Sequence, residues 1–292
     1  VSAEETKAPP AVRTVALVTH SHPPAASEAV AAAVSAAARA ECRLIASAAE
    51  AAKHEGAAEG IEVTDSMPPD PDLCLVLGGD GSILWALRQY AGMEVPVFGI
   101  NFGTIGFLAA AEREDLEEGL RRALAGEFEV LKLPGLDVSA GGSSGVALND
   151  VTFSRRRHGR VAELSYAIAG EEVGNVRCDG LVAATPTGST GYNLANNGPI
   201  LAWGVEGYVV SYIAPHTLTA RALVVAPDDV LRVGNATGRE PVEIALDGEP
   251  LSDLAPGAEA EVRFRDNVGR LAQLPGSSFY RRISEKFGHL AH

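Results

Sequence analysis

Two continuous apolar runs, Asp72–Leu77 and Val95–Ile100, each stop at a glycine-rich turn. The first turn reads Gly78-Gly79-Asp80-Gly81-Ser82, the second Asn101-Phe102-Gly103-Thr104-Ile105-Gly106. A run without polar alternation is the pattern of a strand covered on both faces, as in a parallel sheet. Helical stretches follow both turns, at Ile83–Tyr90 and at the charged, amphipathic Glu112–Leu124. Upstream, the β-branched run Val12–Thr19 precedes the alanine-rich segment Ala25–Ala40, and Cys42–Ala46 forms a weaker strand. Alanine is the best helix former, so that segment is a helix rather than a flexible tract. Strand and helix alternating in this way predict an α/β domain with a parallel sheet, whose ligands sit beyond the carboxyl ends of the strands. Both glycine-rich turns fall there.

From about Pro134 the texture changes to short alternating runs separated by Gly and Asx turns: Gly135–Ala140, Gly145–Phe153, Val161–Ala169, Tyr208–Ile213, Val230–Val233, Val242–Leu246 and Ala258–Phe264. These predict an antiparallel β domain. Helical periodicity returns at Ser277–Phe287, with Phe279, Ile283 and Phe287 on one face. The expected division is a disordered lead (1–11), an α/β domain (12–133), a β-rich domain (134–276) and a C-terminal helix packing back on the first domain (277–292).

Composition removes several classes of function. The net charge of −14 offers no basic footprint for nucleic acid or an anionic membrane. No apolar run reaches the ~20 residues of a membrane helix, and Val1–Pro10 lacks the apolar core of a signal peptide. Cys42, Cys74 and Cys178 are odd in number and widely spaced, which suggests neither a disulfide framework nor a zinc site and implies a reducing, cytoplasmic compartment.

Three stretches carry candidate chemistry. In Gly78–Ser82 the glycines allow backbone to approach phosphate closely, and Asp80 adds a carboxylate at the strand tip. No Gly-Lys-Ser/Thr follows, so it is not a Walker loop. Asn149-Asp150 interrupts the otherwise apolar run Val146–Phe153, where an amide and a carboxylate need partners or solvent. A ligand contact and a hairpin turn both satisfy that need. The third stretch, Val182–Pro199, presents Thr185, Thr187, Ser189, Thr190 and Tyr192 around Pro186 and Gly188. It reads either as a polar-ligand turn aided by a helix N-terminus or as a cap formed by Ser189 or Thr190.

Taken together these motifs resemble the NAD kinase family. Gly78–Ser82 is similar to its GGDG motif, Asn101–Leu108 to its second glycine-rich motif, Asn149-Asp150 to its Asn-Glu pair, and Asp179-Gly180 with Thr185–Tyr192 to its DG…TPTGSTAY signature. Pro215-His216 and Asp247-Gly248-Glu249 also fall where the family has similar segments. The likeness runs in order over nearly the whole chain. It implies an α/β domain followed by a β-sandwich-like domain, and transfer of the γ-phosphoryl of ATP, or of a phosphoryl from polyphosphate, to the 2′-hydroxyl of the adenosine ribose of NAD. Asp80 is then the catalytic residue. Gly78, Gly79, Gly81 and Ser82 hold the donor phosphates with Mg²⁺ or another divalent cation, and the protein itself provides no metal site. Asn149, Asp150, Arg177, Asp179, Thr187, Thr190, Gly191 and Tyr192 hold NAD, and the assembly is a homodimer or homotetramer. Arg177 resembles a position that accompanies preference for NAD over NADH.

Asp150 stands where the family usually has Glu, Ser82 where it has Thr, Gly191 for Ala and Asn193 for Ser. Asn196-Asn197 replace small residues, and Ala222 follows Arg221 in place of Pro. The Arg155–Arg160 run and His216 read as a solvated hairpin tip and a structural histidine. Two alternatives stand beside the kinase: a non-catalytic NAD(P) sensor, and a lipid or sugar kinase of the wider GGDG group.

Overall fold

The computed structural model describes residues 12–20, 27–54, 59–103, 106–156 and 161–288. The expected lead (1–11), Thr104-Ile105 and the end of the arginine-rich run (157–160) lie outside the described residues. The chain divides into two compact units, Val1–Lys132 with Gly269–His292, and Leu133–Val268.

In the first unit the strands β1 (Thr14–Thr19), β2 (Arg43–Ser47), β3 (Glu62–Thr64), β4 (Leu73–Leu77) and β5 (Val97–Asn101) are all parallel. Their spatial order is β3-β2-β1-β4-β5. The order reverses between β1 and β4, and a crevice at the carboxyl ends of two such strands is where open α/β sheets bind ligands. Every residue of β4 and β5 is buried, as their unbroken apolar runs require. The alanine-rich helix α1 (Ser27–Arg39) buries Ala29, Val30, Ala33, Ala36 and Ala37. This small-residue face joins one core cluster with Leu75, Ile100 and Leu120. Helix α2 (Ala48–Ala51) is a single turn, α3 spans Asp80–Gln89 and α4 spans Leu116–Leu124.

The second unit contains a six-stranded antiparallel sheet in the order Leu223–Val225, Tyr208–Ile213, Gly180–Ala184, Asp150–Arg155, Val242–Leu246, Glu249–Leu254. A second antiparallel set runs Glu171–Cys178, Ala162–Ile168, Leu231–Asn235 and Glu259–Gln273. Side chains from both sets, among them Phe153, Leu181 and Val210 from the first and Leu164, Val233 and Val262 from the second, share one core. This is a sandwich-like packing.

Three expectations are corrected. The strand expected over Gly145–Phe153 is two strands, Ser143–Ala147 and Asp150–Arg155, broken at Leu148-Asn149. The first pairs with Glu129–Ala140 and the second with Gly180–Ala184, so the chain changes sheet at the break. The last strand extends from Glu259 to Gln273 rather than ending near Phe264, and the second unit closes at Val268, before the boundary expected at 276. Glu171–Cys178 is also a strand; its sequence EEVGNVRC has no apolar alternation because it is an edge strand with only Val176 and Cys178 buried. Among the described residues no helix is long and apolar enough to cross a membrane, and all three cysteines are free thiols.

Candidate functional site

The first unit builds a cavity of 530 Å³ at the switch point, lined by Val18, Thr19 and His20 at the end of β1 and by Gly79, Gly81 and Ser82 at the start of α3. Thr19 N–H and hydroxyl both donate to Glu50 Oε2, at 3.0 and 2.9 Å, and the hydroxyl lies 2.8 Å from His54 Nε2. Lys53 pairs with the other oxygen of Glu50. Glu50, Lys53 and His54 were invisible to sequence reading, because they sit in an alanine-rich stretch with no motif.

Asp80 is the first residue of α3 after its N-cap Gly79. Its carboxylate reaches the second glycine-rich turn, accepting from Phe107 N–H at 2.7 Å and Leu108 N–H at 3.1 Å. A Cβ at Gly106 would overlap that carboxylate, so this glycine is required by close approach rather than by turn geometry. The carbonyls of the same segment are held from the C-terminal helix Phe279–Phe287, where Arg282 donates to Phe107 O and Ala109 O, and from the end of the strand Glu259–Gln273, where Gln273 donates to Leu108 O at 2.8 Å. The apolar stripe expected on that helix contributes one buried residue, Ile283. Its anchor is Arg282, which periodicity does not reveal.

In the second unit the Leu148-Asn149 break lies under the Thr185–Gly188 turn. Thr185 N–H donates to Asn149 O at 2.8 Å and its hydroxyl to Leu148 O at 2.7 Å, while Gly188 N–H donates back to that hydroxyl at 3.1 Å. From the hairpin turn after Val242–Leu246, the Asp247 carboxylate accepts the N–H groups of Leu148, Asn149 and Asp150 at 3.0, 2.7 and 3.1 Å. The bend is thus clamped by a residue almost a hundred positions away. Asp247→Ala leaves three backbone donors without an acceptor, each bond to a carboxylate being worth about 1.5–3 kcal/mol. We expect a lowered Tm, with partial recovery in Asp247→Asn; thermal unfolding of the two variants checks this.

Asn149 Oδ1 and Thr187 Oγ1 are buried with no partner among the described residues, as is Asn193 Oδ1 further along the turn. Such atoms are rare in folded proteins, and a water, an ion or a ligand can complete their bonding. The remaining hydroxyls are engaged internally: Ser189 donates to Pro186 O at 2.6 Å and accepts from Leu201 N–H at 2.9 Å, and Thr190 donates to Thr187 O at 3.2 Å. Neither Ser189 nor Thr190 is an N-cap, because the helix that follows, Tyr192–Ala195, is one turn long and starts after Gly191. A helix this short lends little dipole, so the expected electrostatic help from its N-terminus is absent. Tyr192 is exposed.

Burial first, and then the neighbouring Asp247 carboxylate, pushes the Asp150 carboxyl up to about 7 from its ordinary 3.8. Because the folded value is raised, the stability tied to this proton is complete below the ordinary value and is lost as pH rises through about 7. In the NAD-holding role that the resemblance implies for Asp150, dinucleotide affinity is expected to change across a midpoint near 7. Asp150→Asn flattens that step, and calorimetric titrations over the pH series read it out.

Arg177, Asp179 and His216 line a separate cavity of 1080 Å³ in the second unit, with Arg155 and the Thr237–Glu240 turn. Arg155 Nε donates to Asp179 Oδ1 at 2.6 Å and Nη2 to Oδ2 at 3.2 Å. This forked pair holds the Asp179 carboxyl below the usual range. Arg156 pairs with Asp253. The described arginines of the run are therefore in ion pairs rather than at a freely solvated tip.

The model of the ATP-NAD kinase N-terminal domain matches residues 13–128, and that of the ATP-NAD kinase C-terminal domain matches residues 148–271. The chain belongs to the NAD kinase family. Among curated relatives, an NAD kinase of Symbiobacterium thermophilum is 36% identical over 255 residues, covering 84% of this chain and 90% of the relative. One of Gemmatimonas aurantiaca is 33% identical over 240 residues, 80% and 82% of the two chains. Of solved structures, the yeast NADH kinase complexed with NADH superposes with a TM-score of 0.85 at 23% identity over 97% of this chain and 89% of that one. An NAD kinase from Archaeoglobus fulgidus in complex with ATP gives 0.69 at 24% identity over 94% and 97%. These two share the fold. The sensor and the lipid or sugar kinase find no support in these matches.

For an NAD kinase the geometry sorts the motif residues. Gly79, Gly81 and Ser82 line the switch-point cavity, whereas Gly78 is buried behind it, donating its N–H to Ile100 O. Asn149 and Thr187 keep unpartnered polar atoms, while Thr185, Ser189 and the amide nitrogen of Asn193 build the turn, Asn193 Oδ1 staying unpartnered. Asn193 donates to Ser189 O and Pro199 O, both at 3.0 Å, which gives this departure from the family pattern a structural role.

Proposed function

We propose that this kinase transfers the terminal phosphoryl of ATP to the 2′-hydroxyl of the adenosine ribose of NAD, giving NADP. The observation that carries the dinucleotide half of the reading is the pair of buried, unpartnered atoms Asn149 Oδ1 and Thr187 Oγ1, beside the buried carboxyl of Asp150. They offer acceptors for the adenine amine and ribose hydroxyls, and leaving them unsatisfied is unfavourable. Thr190, Gly191 and Tyr192 complete that contact, and Arg177 and Asp179 act from the neighbouring cavity of the same unit. Phosphoryl transfer proceeds through positioning and charge stabilisation, with one acid at the attacking hydroxyl. Asp80 is that residue, its carboxylate acting as general base toward the hydroxyl proton; the backbone N–H bonds to its two oxygens fix its orientation. Gly79, Gly81 and Ser82 form the donor-phosphate turn, with Gly78 buried behind it. In this reading a divalent cation would enter on the donor phosphates and would supply charge neutralisation there. Active protein is a homo-oligomer in the cytoplasm.

The test crosses NAD or NADH against ATP or inorganic polyphosphate, with and without Mg²⁺, and measures initial rates of 2′-phosphorylated product. Product from NAD and ATP that disappears on chelation supports the reading. Bound NAD with no product under any combination contradicts it.

A further inference from the structure

The switch-point cavity carries two groups that the glycine turn does not explain. Trp85 lines it and is 40% exposed. On α3 it stands four residues after Gly81 and three after Ser82, and side chains at those spacings share one helix face. An indole left partly open beside a phosphate-type turn is a flat apolar surface. The other group is Lys53, whose ammonium is oriented by the buried Glu50. Glu50 is fixed in turn by Thr19. Lysine has three donors, and the pair with Glu50 uses one. A cavity of 530 Å³ is within the ~300–1,000 Å³ range of small-molecule sites.

A phosphate chain interacts with a lysine and with backbone N–H groups but gains little from an indole face. A nucleotide gains from both, because every base has a π-face that stacks on an aromatic ring whatever its sequence identity. We propose that Trp85 is the stacking platform for the base of a purine nucleoside triphosphate donor, with Lys53 on its phosphates, so that the donor is a nucleotide and not inorganic polyphosphate. This rests on the reading of Gly78–Ser82 as the donor turn. Because stacking tolerates either purine, ATP and GTP bind with similar affinity.

The chain has two tryptophans, so in a Trp203→Phe background the fluorescence of Trp85 reports alone. Titration with the Mg²⁺ complexes of ATP, GTP and tripolyphosphate is expected to show saturable quenching by both nucleotides. Tripolyphosphate gives none, yet it competes with ATP through the shared phosphate contacts. In the otherwise native chain, Trp85→Leu raises KM for ATP about ten-fold while KM for NAD holds, and Lys53→Met raises both KM for ATP and the inhibition constant of tripolyphosphate. Equal quenching by tripolyphosphate, an unchanged KM for ATP in Trp85→Leu, or polyphosphate serving the wild type as well as ATP overturns the proposal. A wild type that makes no NADP but whose Trp85 is still quenched by ATP keeps the nucleotide site and removes the kinase reading; NADP formation without any Trp85 effect does the reverse.

Discussion

Asp80→Asn lowers kcat by about 10²- to 10⁴-fold, the range associated with loss of a positioned general base, while the Kd for NAD is retained. The substitution keeps the shape of the side chain and one acceptor oxygen. It removes the negative charge and places an amine against either Phe107 N–H or Leu108 N–H, which the native carboxylate accepts at 2.7 and 3.1 Å. Loss of one such bond costs about 1.5–3 kcal/mol, so a fall in Tm accompanies the loss of turnover. The two effects separate cleanly. A purely structural Asp80 gives a variant whose rate recovers at low temperature, where the folded fraction is restored, whereas a chemical role leaves kcat low in fully folded protein. Stopped-flow rates with NAD at saturation, alongside thermal unfolding, decide between them.

Gly188→Ala abolishes productive dinucleotide binding. Gly188 is buried beneath the Thr185–Gly188 turn, and a Cβ there would overlap the carbonyl of Asn149 and approach its Cα to 2.7 Å. The atoms in the way are backbone, held by Asp247 and by Thr185, and cannot swing aside as a side chain would. Relief requires the bend carrying Asn149 to move away from Thr187, which separates the two unpartnered polar atoms of the site. Overpacking of this kind costs about 1–3 kcal/mol, and a displacement near 1 Å at a binding group weakens it by ~10²-fold. Calorimetry of NAD binding and a thermal melt measure both quantities. Native affinity in Gly188→Ala would show that the bend is not part of the site.

Much of the first unit was legible because its physics is local. Uninterrupted apolar runs state that β4 and β5 are covered on both faces, and the glycines at their ends state where backbone must come close to something else. The switch point between β1 and β4 follows from strand order, which no local pattern encodes. The cavity walls from Thr19, Glu50 and Lys53 therefore appeared only with the fold. Similarly, the Asn149-Asp150 break was visible as a polar interruption, yet its cause was not. A strand that changes sheets looks in sequence like one strand with two odd residues. Asp247, which clamps the break, is linked to it by three hydrogen bonds across nearly a hundred residues. Arg282 illustrates the same limit: a helix read by its apolar face is attached by a cation that satisfies carbonyls of the Asp80 segment. The Asp179 pairing with Arg155 was hidden because Arg155 read as part of a solvated hairpin tip and Asp179 as part of the Asp179-Gly180 motif, with nothing in the sequence to join them.

The most direct measurement of the central claim is the position and stoichiometry of phosphate transfer: purified protein is incubated with NAD and ATP, and the products are resolved by ³¹P NMR. The account predicts one ADP for each NADP, with the new phosphomonoester on the 2′-hydroxyl of the adenosine ribose and none on the nicotinamide ribose. ADP released without NADP, or phosphate at any other hydroxyl, would contradict it.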